Sequence, residues 1–157
     1  MFDVSNQFEH FYRYHVVLPK ESQNELHSKK KINIKRLQSG LDQYNKEHST
    51  NYQLIESAVQ GSVAMSTVVQ NDSNDYDIDV GIVFDYEVMK DVGAQISRNI
   101  VADALQRETA QFNTQPEVKT SCVRVRYADG YHIDFAIYRK QQPSEWDNQK
   151  YYHAGAD

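Results

Sequence analysis

Three aspartates and a glycine-serine pair are the residues of this chain whose types and spacing point to chemistry. In Tyr76-Asp77-Ile78-Asp79-Val80-Gly81-Ile82-Val83-Phe84 the apolar and β-branched residues mark a strand. Its period of two puts Asp77 and Asp79 on one face and Ile78 and Val80 on the other. Like charges at that separation repel unless a cation neutralises them, and hard oxygen donors suit magnesium, with manganese as a substitute. Asp134 lies in a second strand-like run, Tyr131-His132-Ile133-Asp134-Phe135-Ala136-Ile137-Tyr138. If the two strands are neighbours in a sheet, all three carboxylates converge and can clamp two metal ions. One ion lowers the pKa of an attacking hydroxyl, while the other neutralises a triphosphate and its leaving pyrophosphate. In that scheme Asp77 and Asp79 bridge both ions. Asp134 serves the ion at the attacking hydroxyl and can help to accept its proton.

A phosphate grip precedes the paired acids. Leu54 to Val59 reads as a strand, and Gly61-Ser62-Val63-Ala64-Met65-Ser66-Thr67 as a turn into a short helix with Ser62 as N-cap. Glycine lets the backbone approach a ligand closely, and free amides at a helix start carry positive potential suited to phosphate. Ser62 adds a hydroxyl donor. Alone, a Gly-Ser pair is most often a plain turn. Its order before the Asp-x-Asp strand gives it weight.

In that order of parts the chain resembles the polymerase-beta-like nucleotidyltransferases: Gly-Ser, a short helix, Asp-x-Asp, then a third aspartate on a later strand. Within that superfamily it is most similar to the bacterial relatives of cyclic GMP-AMP synthase, the CD-NTases. Gln60-Gly61-Ser62 with Met65 and Thr67, the run Asp77-Ile78-Asp79-Val80-Gly81, His132-Ile133-Asp134 and the tail Tyr152-His153-Ala154-Gly155-Ala156-Asp157 carry the likeness. It covers the chain from about Lys31 to Asp157. The resemblance implies an α/β fold with a mixed β-sheet backed by helices. It also implies synthesis of cyclic di- or trinucleotide messengers from nucleoside triphosphates in antiphage (CBASS) defence operons, with operon-encoded protein partners. Members of the family carry a second, helical lobe after the third aspartate, so the sequence reads as the catalytic lobe of such an enzyme. Three readings stand beside this one. They are a minimal nucleotidyltransferase of toxin-antitoxin type, about this long; a transferase that attaches a nucleotide to a protein or RNA; and a domain that binds nucleotide without reacting.

Composition bounds the class. A length of 157 residues, 39% hydrophobic and 25% charged, fits one domain with a core of its own. The apolar runs are far shorter than a bilayer span and Met1 to Tyr14 lacks the pattern of a signal peptide, so the expected location is the cytoplasm, with no membrane partner. A net charge of −5 disfavours a nucleic-acid partner. The run Lys29-Lys30-Lys31 with Lys35 and Arg36 reads as the solvated face of a helix. Cys122, the single cysteine, reads as a small core residue.

The elements that must position the acids follow from periodicity. After an irregular opening, Ser28 to His48 carries Ile34, Leu37, Leu41 and Tyr44 at helical spacing, despite the cost of Gly40. Tyr86 to Phe112 predicts a second helix, with Val92, Ile96, Ile100, Ala104 and Leu105 as its buried stripe, crossing between the two acid-bearing strands. Glu117 to Tyr127 then starts a hairpin whose tip is Asp129-Gly130. A two-residue turn there pairs Val125 with Asp134 and faces Arg124 and Arg126 away from the carboxylates. A three-residue loop reverses this and lays Arg126 across from Asp134, where either arginine can help to neutralise phosphate. His132 shares the face of Asp134, and because magnesium prefers oxygen it reads as the orienter of a neighbour rather than a ligand. Asp72-Ser73-Asn74-Asp75-Tyr76 reads as a solvated loop. A calcium loop fails there, because Val80 and Tyr86 stand where a glycine and a bidentate glutamate are needed.

Overall fold

A computed structural model describes residues 3–61, 77–108, 115–128 and 130–141, together with the backbone of 151–153. Ser62, the segment 62–76, Asp129 and the tail 154–157 lie outside the described residues. So the predicted Ser62 cap with its short helix, the 72–76 loop and the Ala154-Gly155 segment carry no structural statement.

The sheet orders its first five strands as β1 (Leu54–Val59), β2 (Asp77–Asp85), β5 (His132–Lys140), β4 (Val123–Arg126) and β3 (Glu117–Val118). A sixth, β6 (Tyr151–His153), pairs with the far end of β5 at Tyr138–Lys140, beyond the reach of β4. The pairing of β2 with β5 is parallel and all its neighbours are antiparallel, so the sheet is mixed as expected. A parallel pair needs a crossover. Here two helices provide it, α3 (Tyr86–Met89) and α4 (Ala94–Glu108).

Alternation along the central strands separates an apolar face from a polar one. Ile78, Val80, Ile82 and Phe84 of β2, Ile133, Phe135 and Ile137 of β5, and Val123 and Val125 of β4 are all buried. They form one core with Leu26, Leu37 and Leu41 of α2 (Lys20–His48) and with Ile100, Val101, Ala104 and Leu105 of α4. The helices thus cover one face of the sheet, and the carboxylates stand on the other. Gly40 explains itself in this packing: a Cβ there would overlap the backbone carbonyl of Ala104, so its absence lets α2 and α4 touch backbone to backbone.

Several expectations are corrected. The helix expected from Ser28 begins at Lys20, where Pro19 precedes its first turn and buries Leu26. The opening is not irregular but holds a short helix, α1 (Ser5–Phe11), and a π-helical turn (Tyr12–Val16). Phe8, Phe11, Tyr12 and Tyr14 are exposed there, so no buried stripe marks either. The helix expected over Tyr86 to Phe112 is broken between Met89 and Ala94, where Gly93 stands, and is described to Glu108. Ile96 faces solvent, whereas Ser97, Arg98 and Val101 join the buried side. The single run Glu117 to Tyr127 is two strands, β3 and β4, around a turn in which Lys119 N–H donates to the Cys122 carbonyl at 2.9 Å. Of the basic run, Lys29 is half-buried over the Tyr131 ring, 3.3 Å from its centroid, rather than solvated. Among the described residues no helix is long and apolar enough to cross a membrane.

Candidate active site

Parallel register fixes the acids. Asp79 of β2 is the partner of Asp134 on β5, and Asp77 is the partner of His132. The period of two then brings Asp77, Asp79, His132 and Asp134 onto one face at the start of both strands. The three aspartates singled out by the sequence therefore come together, as does His132.

The glycine of the Gly-Ser pair is placed against them. Gln60 N–H donates to the Asp79 carbonyl at 2.8 Å, extending the β1–β2 ladder by one residue. Gly61 follows with φ +62°, a left-handed conformation that favours glycine, and a Cβ on it would overlap Asp79 Oδ2. Both the turn and the close approach require glycine. Gln60, Gly61, Asp79, Ser121, Cys122, Asp134 and Ala136 line a cleft of about 290 Å³ on this face. A larger hollow of about 330 Å³ between α2 and β1 carries one carboxylate, Asp42, and no comparable cluster.

Each carboxylate has a different electrostatic setting. Asp134 receives a forked guanidinium: Arg124 Nε donates to Oδ1 at 2.7 Å and Nη2 to Oδ2 at 2.6 Å. Hydrogen bonding to Asp134 holds the Arg124 guanidinium above its already high ordinary pKa. Asp77, the most exposed of the three, is in contact through Oδ1 with Nε2 of the buried His132. Asp79 forms no ion pair among the described residues. Burial raises its pKa above the usual value, and the charges of Asp134 and Asp77 push the same way, against smaller opposing pulls from His132 and Arg124.

Arg124 is the residue that sequence reasoning left out. The hairpin has a three-residue loop, 128–130, closed by Tyr127 N–H donating to the Tyr131 carbonyl at 3.0 Å, with the two rings stacked 5.1 Å apart. That loop begins one residue earlier than the Asp129-Gly130 signal suggests. Arg124, not Arg126, therefore lies across from Asp134, and Arg126 lies across from His132 and pairs with Glu117 at 2.7 Å. Cys122 is also corrected: it stands just before β4 at the cleft wall rather than in the core. Burial, then the Asp134 charge, pushes its thiol up to about 11, so it is a poor nucleophile there.

The donor set, three carboxylates on adjacent strands, is what a hard divalent cation takes, and the Asp79 pKa is raised by burial first and by the neighbouring Asp134 and Asp77 charges second. Yet Asp134 and Asp77 are turned to Arg124 and His132, and among the described residues no three His, Cys, Asp or Glu side chains converge closely enough to hold a metal ion. The residue types and backbone positions fit a cation, and the side chains are engaged elsewhere.

Residues 55–138, from β1 to Tyr138 of β5, match the model of the family described as cyclic GMP-AMP synthase DncV-like, nucleotidyltransferase domain. Among solved structures, the chain is similar to the Vibrio cholerae DncV cyclic AMP-GMP synthase in complex with the linear intermediate 5' pppA(3',5')pG. The TM-score is 0.65 at 16% identity, over 90% of this chain and 52% of that one. It is similar too to the Bradyrhizobium diazoefficiens CD-NTase CdnG in complex with GTP, with TM-score 0.63, 18% identity, 88% of this chain and 40% of that one. A 3'-deoxy ATP bound form of Vibrio cholerae DncV matches at TM-score 0.63 and 16% identity, over 90% of this chain and 52% of the other. At these identities the likeness is one of fold, and the chain spans about half the length, or less, of these relatives.

Proposed function

The chain belongs to the DncV-like nucleotidyltransferase domain family of cyclic GMP-AMP synthases, and from that membership we propose that it is the catalytic lobe of an enzyme that builds cyclic oligonucleotide messengers from nucleoside triphosphates. The observation that carries this reading is the in-register pairing of Asp79 with Asp134, with Asp77 two residues before and Gly61 pressed against Asp79. Nucleotide complexes of DncV and CdnG support the substrate class.

Asp77, Asp79 and Asp134 would hold two divalent cations, magnesium by preference and manganese as a substitute. Bound there, the metals supply charge neutralisation for the triphosphate and acidity for the attacking hydroxyl. The chain's own contribution is placement. Gly61, where any side chain would collide with Asp79, would bring backbone to the phosphates, and Ser62 would add its hydroxyl. Asp134, which lines the cleft, would take the proton of the attacking hydroxyl. The in-line displacement breaks the bond between the α-phosphorus and the bridging oxygen of the donor, forms a new phosphodiester to the acceptor hydroxyl and releases pyrophosphate. With such substrates the proposed location is the cytoplasm, and the family likeness supports a role in antiphage defence.

Incubating the native protein that contains this chain with four radiolabelled triphosphates and magnesium or manganese, followed by phosphatase, tests the reading. A small phosphatase-resistant product that disappears in Asp77→Ala/Asp79→Ala supports it. Label on protein or RNA instead would replace it with transfer to a macromolecule.

A further inference from the structure

The cation that Asp134 holds in this fold is one of the protein's own. Arg124 uses two donors against both carboxylate oxygens, at 2.7 and 2.6 Å, with the two side chains 23% and 14% exposed. Strand register sets up the contact: the residues face each other directly across the β4–β5 ladder. Cross-strand neighbours of opposite charge attract, and the forked geometry suits arginine alone among the cations of the chain. A guanidinium does not deprotonate in a protein, so raising the pH leaves the pair closed, whereas a competing cation can open it by exchange. A metal ion at Asp134 must approach oxygens that Arg124 already occupies. This conflict turns the Asp134 carboxylate away from a shared cation site, as the His132 contact turns Asp77.

We propose that Arg124 is a positioning residue that occupies the Asp134 carboxylate until a divalent cation displaces it, so that metal binding and release of the guanidinium are one exchange. The proposal rests on the reading of Asp134 as a metal ligand. Before exchange, Arg124 holds Asp134 at its place opposite Asp79 and offsets part of the charge between the two acids. The exchange makes apparent metal affinity lower than the three acids alone would give. It therefore ties completion of the site to the local supply of divalent ions, or to an anionic ligand that draws the guanidinium away.

Manganese titration followed by electron paramagnetic resonance measures this directly, on wild type, Arg124→Gln, Asp134→Asn and the double variant, each checked for folding by thermal melting. A merely structural arginine would weaken metal binding when lost; a competitor must strengthen it. Arg124→Gln is expected to bind Mn2+ about two- to fivefold more tightly, the scale of a part-exposed ion pair, and to show no gain in the Asp134→Asn background. Unchanged or weaker binding in Arg124→Gln, while Asp134→Asn still weakens it, overturns the proposal alone. If Asp134→Asn binds Mn2+ like wild type, the reading of Asp134 as a ligand fails, and the proposal with it. Should Arg124→Gln fail to fold, the Arg124 Nε–H resonance of the wild type answers the same question. It should lose its solvent protection as Mg2+ saturates the site, and a signal that stays protected at saturation contradicts the exchange.

Discussion

Asp79 and Asp134 are direct partners on adjacent parallel strands, yet a guanidinium caps only Asp134. Asp79 is left half-buried between two like charges, and its pKa is raised by burial first and by Asp134 and Asp77 next. A carboxyl whose folded-state pKa lies above its unfolded value contributes stability that is whole below the unfolded pKa and is lost as pH rises through the folded one. Without divalent ions, Asp79→Asn should therefore melt higher than wild type at pH 7, with the gain vanishing below about pH 4. Melting curves in EDTA across that range check it; a variant that melts lower at neutral pH contradicts the electrostatic account.

Gly61→Ala meets two penalties, a left-handed backbone and an overlap with Asp79 Oδ2. The first is worth roughly 1–2 kcal/mol. Urea unfolding should show at least that loss. The loss should shrink by about 0.5 kcal/mol or more in an Asp79→Ala background, where the carboxylate is gone. Strict additivity of the two substitutions would deny the contact.

Gly40→Ala separates helix propensity from packing. In an exposed helix the change should stabilise by about 1 kcal/mol. Against the Ala104 carbonyl it should instead destabilise by roughly 1–3 kcal/mol, because backbone has to move. Chemical denaturation gives the sign at once.

Tyr138 and Gln60 predict a positioning effect at the cleft. The Tyr138 hydroxyl lies 3.3 Å from both Gln60 Oε1 and Nε2, and a Cβ on Gly81 would stand 2.8 Å from that same Nε2. A glycine within a central strand is thus explained by the amide seated over it. Tyr138→Phe should weaken triphosphate binding by about 0.5–1.5 kcal/mol, roughly two- to tenfold. Gly81→Ala, which pushes the amide aside, should weaken it in the same direction. Calorimetric titration of both variants would refute the idea if affinities matched wild type.

What could be seen from sequence was what periodicity encodes. Asp77 and Asp79 share a face because a strand alternates, and the helical run between the acid-bearing strands required the crossover that makes β2 and β5 parallel. What escaped was set by tertiary contacts. The hairpin loop is flanked by the stacked Tyr127 and Tyr131 and begins one residue before the Asp129-Gly130 signal, and that single residue of register decides which arginine meets Asp134. The helix break before Ala94 was masked by an apolar pattern that included Ile96, which faces solvent. The helix in the opening segment buries none of its aromatic residues, so no stripe announced it. Gly40 looked like a defect until the opposing helix was in place. A register signal for Arg124 exists in Tyr127 and Tyr131, which flank the loop with aromatic rings, but only a cross-strand reading uses it.

Asp77, Asp79 and Asp134 are proposed to make a metal-dependent nucleotide site. Equilibrium binding of the four nucleoside triphosphates, with Mg2+ and with EDTA, to wild type and to Asp79→Asn, tests it most directly. The account predicts that at least one triphosphate binds more tightly with Mg2+, and that Asp79→Asn, still folded by its melting curve, loses that enhancement. Binding that ignores both the metal and the substitution would contradict it.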